Sequence, residues 1–470
     1  MKYLKFISIS LFIALILNLQ SSKAQQWEWV KQAGGFGKCK AYDITSDNEG
    51  NIIVAGSFTG TVVFGETKFI NYGSNDLFIA KYNPNGDLLW AKQGGGTKDE
   101  EAYGVVCDKN GNVFITGYYS GYLNLDNNAM GNGIGTDYNN CFVIKYDKDG
   151  LLQWAIHSGG NGDKYGKAVT IDKDGNVFFT GVFKDEIGFL FEDHSKKHTA
   201  HEDETEEFKI LKSKGASSVF VAKIEGNSDF LWVEQSDGEG MHEPSAIESD
   251  NNGNCYITGS FSGTFNFNDK KLASKGGKDI FVTKYDPAGK VIWATQAGGV
   301  KDDQSSGMSW DANGYFYLTG YFLESARFGK TKLKNKSNYN IFVSKIDYDG
   351  NTLWAKQAGG SGNEYTRGIT SDNKGNIFVT GEFNTNFDFA NSKISNSGDW
   401  DIFVLDFNSE GKMIKGYQAG GKGSDKGIGI TSDEKNNCFV LGTISQEANF
   451  DNANIKRNGD FDIVIGKIKK

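Results

Sequence analysis

Proline is almost missing from this chain of 470 residues, with three copies. That scarcity excludes collagen-like and proline-rich classes. It also suits a chain made of many strands, since proline cannot donate to a sheet ladder. Cysteine is scarce and odd in number, at five. A complete disulfide framework is therefore excluded. Cys107, Cys141, Cys255 and Cys438 sit inside apolar strand-like runs and read as buried thiols. Positive charge is in deficit, 50 Lys and Arg against 59 Asp and Glu, for a net charge of -9. Nucleic-acid binding, which needs a basic surface, is not expected. No G-x-S-x-G elbow, H-E-x-x-H pair or phosphate loop occurs. The sequence therefore implies no enzyme and no cofactor. Beyond the first 24 residues no apolar run reaches the length of a membrane helix, so no direct membrane span is expected.

The first 24 residues read as a signal peptide. Lys2 and Lys5 precede an apolar stretch from Phe6 to Leu19, and Ser22-Lys23-Ala24 offers the small residues that a signal peptidase reads. Cleavage would remove Lys2, Lys5 and Lys23 and take the charge from -9 to -12. The expected location is periplasmic, outer-membrane-associated or extracellular.

What the chain has in abundance is glycine, 61 residues, and repetition. Trp29, Trp90, Trp154, Trp232, Trp293 and Trp354 occupy one repeat position, and Lys415 holds it in the last copy. The spacings are 61, 64, 78, 61, 61 and 61 residues. Each copy contains four strand candidates. The first ends at a tight D-x-x-G-N turn, such as Asp108 to Asn112, whose glycine permits the positive φ that the turn needs. The second carries T-G-x-aromatic. A connection of 17 residues is the common length before the third, as in DLFIAKY from Asp76, and a second tight turn leads to the tryptophan strand. The strands are almost continuously apolar, as sheets packed on both faces should be, and the tryptophans read as packing between sheets.

Four antiparallel strands repeated radially are a propeller blade. The expected fold is all-β: one seven-bladed β-propeller over residues 25–470, with blades at about 36–95, 97–159, 161–237, 239–298, 300–359, 361–420 and 422–470. The last copy stops after its third strand, Asp462 to Ile468, while Trp27 to Gly35 is a fourth strand with no preceding three. The two deficits match, so the N-terminal strand is expected to close the last blade and remove two exposed edges. The D-x-x-G-N-x-x-x-T-G-x-F element, followed by D-x-F-V-x-K-Y-D-x-x-G-x-x-x-W and a double glycine, resembles the SBBP β-propeller repeat of secreted bacterial proteins. The resemblance covers residues 27–468. It implies the propeller fold and no shared catalytic set. No sorting domain is expected after the last blade.

In such a meander the tight turns share one face. The second-to-third and blade-to-blade connections share the other, and that face is expected to carry the binding function. Blade-to-blade acids follow the double glycine: Asp99, Glu100, Asp163, Asp302, Asp303, Glu364 and Asp425. They read as solvated turn acids, or as a collar at the channel mouth suited to a cation or a basic partner. His242 stands alone in one such connection. The third blade breaks the pattern with 34 residues between Phe183 and Ser218. This insertion (about 185–215) is highly charged and reads as a flexible loop or a partner contact. His194, His198 and His201 within it are candidates for a divalent metal. The leading functional expectation is a protein–protein interaction scaffold, with an outer-membrane or cell-surface complex as its setting. A carbohydrate-binding propeller is the alternative, followed by an envelope hydrolase or lyase.

Overall fold

The computed structural model describes residues 26–126, 128–131, 138–193, 208–226, 229–311, 313–451 and 453–469. Among these no helix occurs, and seven four-stranded antiparallel sheets close into a ring. The first blade illustrates the unit: Cys39–Ser46 lines the axis, followed outward by Ile52–Phe58, Asp76–Tyr82 and Leu88–Gly95. In the last blade Trp27–Ala33 pairs antiparallel with Asp462–Ile468 and supplies the missing outer strand. Trp27 is 2% exposed, and its Nε1 donates to the Gln418 carbonyl at 3.2 Å.

The repeated motif has a physical explanation at each position. The turn aspartate is a clamp. Asp172 Oδ1 accepts from the backbone of Asp174 and Asn176, and its Oδ2 accepts from Asn176 Nδ2. The carboxylate is thereby used up by its own turn. The threonine of T-G donates sideways to the third strand, as Thr180 Oγ1 does to Phe220 O at 2.7 Å. The glycine that follows leaves room for that strand's ring: a Cβ on Gly181 would sit 2.6 Å from Phe220. The tryptophans join blades. Trp90 Nε1 donates to Lys148 O in the next blade at 3.1 Å, and its indole covers Gly150 there. Lysines of the third strand reach buried turn acids, with Lys81 Nζ 2.9 Å from Asp47 and Lys223 Nζ 3.6 Å from Asp172.

The second-to-third connections differ from the loops expected there. Each contains a small hairpin. Leu123–Leu125 pairs on one side with Asn128–Met130 and on the other with the outer strand of the preceding blade, at Gly94 and Gly95. Glu186–Asp193, paired with Phe208–Lys212, does the same against Leu152–Gly159. In the fifth blade the hairpin is continuous with its strands, Phe316–Phe328 and Thr331–Ile346. The cause is alternation: Val62 with Phe64, Phe265 with Phe267, and Phe387 with Phe389 point inward and are buried. These segments brace the ring. The blade-to-blade turns and the lead-ins to the third strands are left to form the exposed surface on that face.

Candidate functional site

The first strand of each blade begins ten residues after the tryptophan position. Cys39, Glu100, Lys164, His242, Asp303, Glu364 and Asp425 stand there, and all seven are fully buried. Three of the four acids close their own turns. Glu100 Oε2 accepts from Gly96 N at 2.8 Å, Asp303 Oδ2 from Gly299 N at 2.7 Å, and Asp425 Oδ2 from Gly421 N at 2.8 Å. Lys164 works with the polarity reversed, donating to the carbonyls of Gly160 and Gly162. His242 bonds Thr264 O through Nε2 and Ser236 Oγ through Nδ1, and burial lowers its pKa. Burial pushes Glu100 up to about 8, Asp303 and Glu364 to about 7, and Asp425 to about 6, against the pull of those backbone bonds.

These residues therefore do not form an acidic collar, nor are they solvated turn acids. Their side chains face the double glycine because the turn's orphan N–H groups need acceptors. Asp99, Asp163 and Asp302 are half-buried and cross a blade boundary. Their Oδ1 atoms accept from the backbone of Asn75, Asn139 and Lys278. The eight candidates hold the seams between blades and leave little for a partner to touch. His194, His198 and His201 lie outside the described residues. Among the described residues no group of three or more His, Cys, Asp or Glu is arranged to hold a metal. Cys39, Cys107, Cys141 and Cys255 are free thiols, and Cys39, Cys141, Cys255 and Cys438 are buried.

Three residues further along, each inner strand carries a β-bulge. The extra residue is Tyr42, Tyr103, Lys167, Ser245, Ser306, Arg367 and Ile428 in turn. A bulge re-aims its side chain, and bulges gather next to binding sites. The position after it is small in six of seven copies: Gly104, Ala168, Ala246, Gly307, Gly368 and Gly429, with Asp43 in the first blade. Neighbouring inner strands approach closely there, and a Cβ on Gly368 would lie 3.0 Å from the Gly429 Cα. The bulge ring borders a cavity of about 370 Å³ on the propeller axis.

Two aromatic arcs flank this opening. On one side Tyr42 meets Tyr103 edge-on at 4.8 Å, Tyr103 packs on Tyr118, and Tyr118 meets Tyr165 at 5.0 Å. Buried Glu101 accepts from the Tyr42 hydroxyl at 2.7 Å. On the other side Tyr321, Tyr339, Tyr365 and Trp400 pack in series. There Arg367 reaches Glu382 with Nη2 at 2.6 Å and Nε at 3.2 Å. Within the channel, burial raises Asp43 to about 7, opposed by bonds from the backbone of Val105 and Ile44. Burial raises Glu248 to about 8, and Asp43 adds to the shift. Sequence reasoning missed this ring, because it searched loops for the variable residues. The available signal was the repeat column itself, which changes chemistry from copy to copy just before a column of small residues.

Residues 353–389 match the family model of the SBBP beta-propeller repeat. An uncharacterized WD repeat-containing protein of Acanthamoeba polyphaga mimivirus is 23% identical, over 77% of this chain and 31% of its own length. The chain therefore spans less than a third of that relative. Among solved structures, the WD40 domain of Pan2 from Neurospora crassa aligns with a TM-score of 0.44 at 10% identity, over 92% of this chain and 90% of that one. Sqt1 from Chaetomium thermophilum gives 0.43 at 6%, over 94% and 100%. An ulvan lyase of polysaccharide lyase family PL25 gives 0.43 at 11%, over 93% and 95%. Likeness at this level does not extend to function.

Proposed function

We propose that this chain is an exported binding propeller that engages a protein partner through its long-connection face and acts as a scaffold. One observation carries the reading: large apolar side chains stand exposed on that face. Phe36 and Val300 lie in blade-to-blade turns and Tyr72 in a lead-in to a third strand, at 86%, 63% and 69% exposure. Met241 joins them in another turn, also exposed. Aromatic and aliphatic anchors on a rigid frame are what a protein interface needs at its centre. A cell-envelope complex is the setting the signal-peptide reading supports.

The test is capture from the source envelope by cross-linking. Phe36→Ser, Met241→Ser and Val300→Ser are combined in one variant. Leu89→Ser with Leu353→Ser, which changes exposed residues of the outer strands, is the control. The parent and the control should retain one partner that the triple variant loses. Identical capture by all three would reject this face. A second reading, cleavage of an envelope polymer, is favoured by the two channel carboxylates, since paired acids of raised pKa suit acid–base work. Glu248→Gln compared with the parent across acidic and neutral polymers tests it, and equal inactivity ends it.

A further inference from the structure

We infer that the channel mouth binds a singly charged anionic sugar, with Lys167 as the group that receives its charge. The inference goes beyond protein docking and does not rest on it, because Phe36, Met241 and Val300 lie outside the bulge ring.

The first support is a mismatch in pairing. Lys40 lies 3.6 Å from Glu101, Lys278 lies 2.9 Å from Glu243, and Arg367 lies 2.6 Å from Glu382. Each of these three carboxylates at the mouth thus has its cation, while Asp43 and Glu248 deeper in the channel are pushed toward the neutral form by burial. Lys167 is left over. Among the described residues no hydrogen-bond acceptor or carboxylate reaches its Nζ within bonding range. The ammonium lies over the rings of Tyr103 and Tyr165, at 4.8 and 5.3 Å from their centroids. Burial lowers its pKa, against the fields of Glu243 and Glu101. A half-buried cation that touches ring faces, with Glu243 and Glu101 acting on it only at a distance and each already paired, in a protein of net charge -9, is poorly compensated until an anion arrives.

The second support is the shape and chemistry of the surroundings. A cavity of about 370 Å³ falls in the range of small-ligand sites, which are concave and aromatic with a few fixed polar groups. Tyr42 is oriented by Glu101, Tyr165 by Asn139 at 2.6 Å, and Tyr321 by Gln304 at 2.8 Å. Flat rings with oriented hydroxyls suit a compact ring that has apolar faces and a hydroxylated edge. The bulge residues Ser245 and Ser306 add further hydroxyls. One unpaired ammonium matches one negative charge. A dianionic phosphate would set its second charge near Glu101 and Glu243 with nothing to meet it. A carboxylate sugar and a sulfate ester share the required chemistry.

Calorimetric titration of the intact protein separates the cases. The probes are a trisaccharide bearing a single uronate, a monosulfated trisaccharide, neutral maltotriose and sodium acetate. Binding is expected for one or both anionic sugars. It should be at least about tenfold weaker for maltotriose, which lacks the charge-assisted bond, and for acetate, which lacks the sugar ring. Lys167→Met should lose the preference by a similar factor at unchanged melting temperature, and Lys167→Arg should keep it. The triple variant of the docking face should bind the sugar normally, so the two proposals fail separately. Equal affinity for charged and neutral sugars, equal binding by acetate, unaltered binding by Lys167→Met, or silence toward every sugar would each overturn the inference.

Discussion

Asp279 and Asp303 meet at one glycine: a Cβ on Gly298 would lie 2.7 Å from Asp279 Oδ1 and 3.0 Å from Asp303 Oδ2. Both residues are fully buried, and the Oδ1 atom of each has no hydrogen-bond partner among the described residues. The same relationship joins Asp76 with Glu100 and Asp401 with Asp425, at two other seams. Where one member of the pair is not an acid, it is neutral in two copies, Asn340 beside Glu364 and Cys39 beside Asp462. Those seams tolerate one negative charge.

The pairs predict a pH dependence. Burial raises Asp279 to about 6, Asp401 to about 7 and Asp303 to about 7, and each of the last two also feels its partner. The folded protein therefore keeps protons that the unfolded chain releases near pH 4. The resulting stability is complete below that value and is lost as pH rises through about 6 to 8. The melting temperature should fall between pH 5 and pH 8.5. Asp303→Asn should flatten the fall and be no less stable than the parent at pH 8.5. A parent curve that is level or rising across this window contradicts shared protons at the seams.

Ring closure gives a second prediction. Trp27 packs edge-on against Phe450 at 5.2 Å, and its strand covers the edge of Asp462–Ile468. Trp27→Ala should cost about 3–5 kcal/mol in denaturant unfolding, the range for buried aromatic truncation. Removing residues 25–35 should lower the melting temperature or cause aggregation, since the edge of Asp462–Ile468 is then open. An unchanged melting temperature would refute the seam.

The buried ion pair of Lys81 and Asp47 supplies a third. Both side chains are under 5% exposed. Burial opposes the Asp47 charge, yet bonds from Asn51 and Lys81 hold its pKa below the ordinary value. Lys81→Met leaves that charge unmatched and should cost about 3–5 kcal/mol. Adding Asp47→Asn should return part of the loss. Urea midpoints of the two variants check this.

A fourth prediction concerns the thiols. Burial pushes Cys39 and Cys141 up to about 12 and raises Cys107 and Cys255 further. Thiolate is the reactive form, so the native protein should react with a thiol reagent orders of magnitude more slowly than the unfolded chain. Rapid labelling of even one cysteine in the folded protein would contradict the packing around it.

Much of the fold could be read from the repeat. Four strands per copy, the turn clamps and the matched deficits at the two ends specify the blade count and the closing strand. The site was harder to read for two reasons. Asp303 and Asp425 follow glycines in polar text and look exposed, yet the blade-to-blade turns use their carboxylates as acceptors. Tyr103 and Lys167 sit inside strands and look structural, yet bulges turn them toward the axis. Local composition does not tell whether a polar atom is consumed by its own turn.

Periodicity, strand alternation and turn chemistry are local properties, and they alone determined that this chain makes seven like sheets in a closed ring. Which side chains face the channel depends on where seven strands, distant in sequence, converge on one axis. That convergence put Lys167 between Tyr103 and Tyr165, and turned seam acids inward. Only the assembled ring decides it, because charge compensation and burial are set by neighbours from other blades.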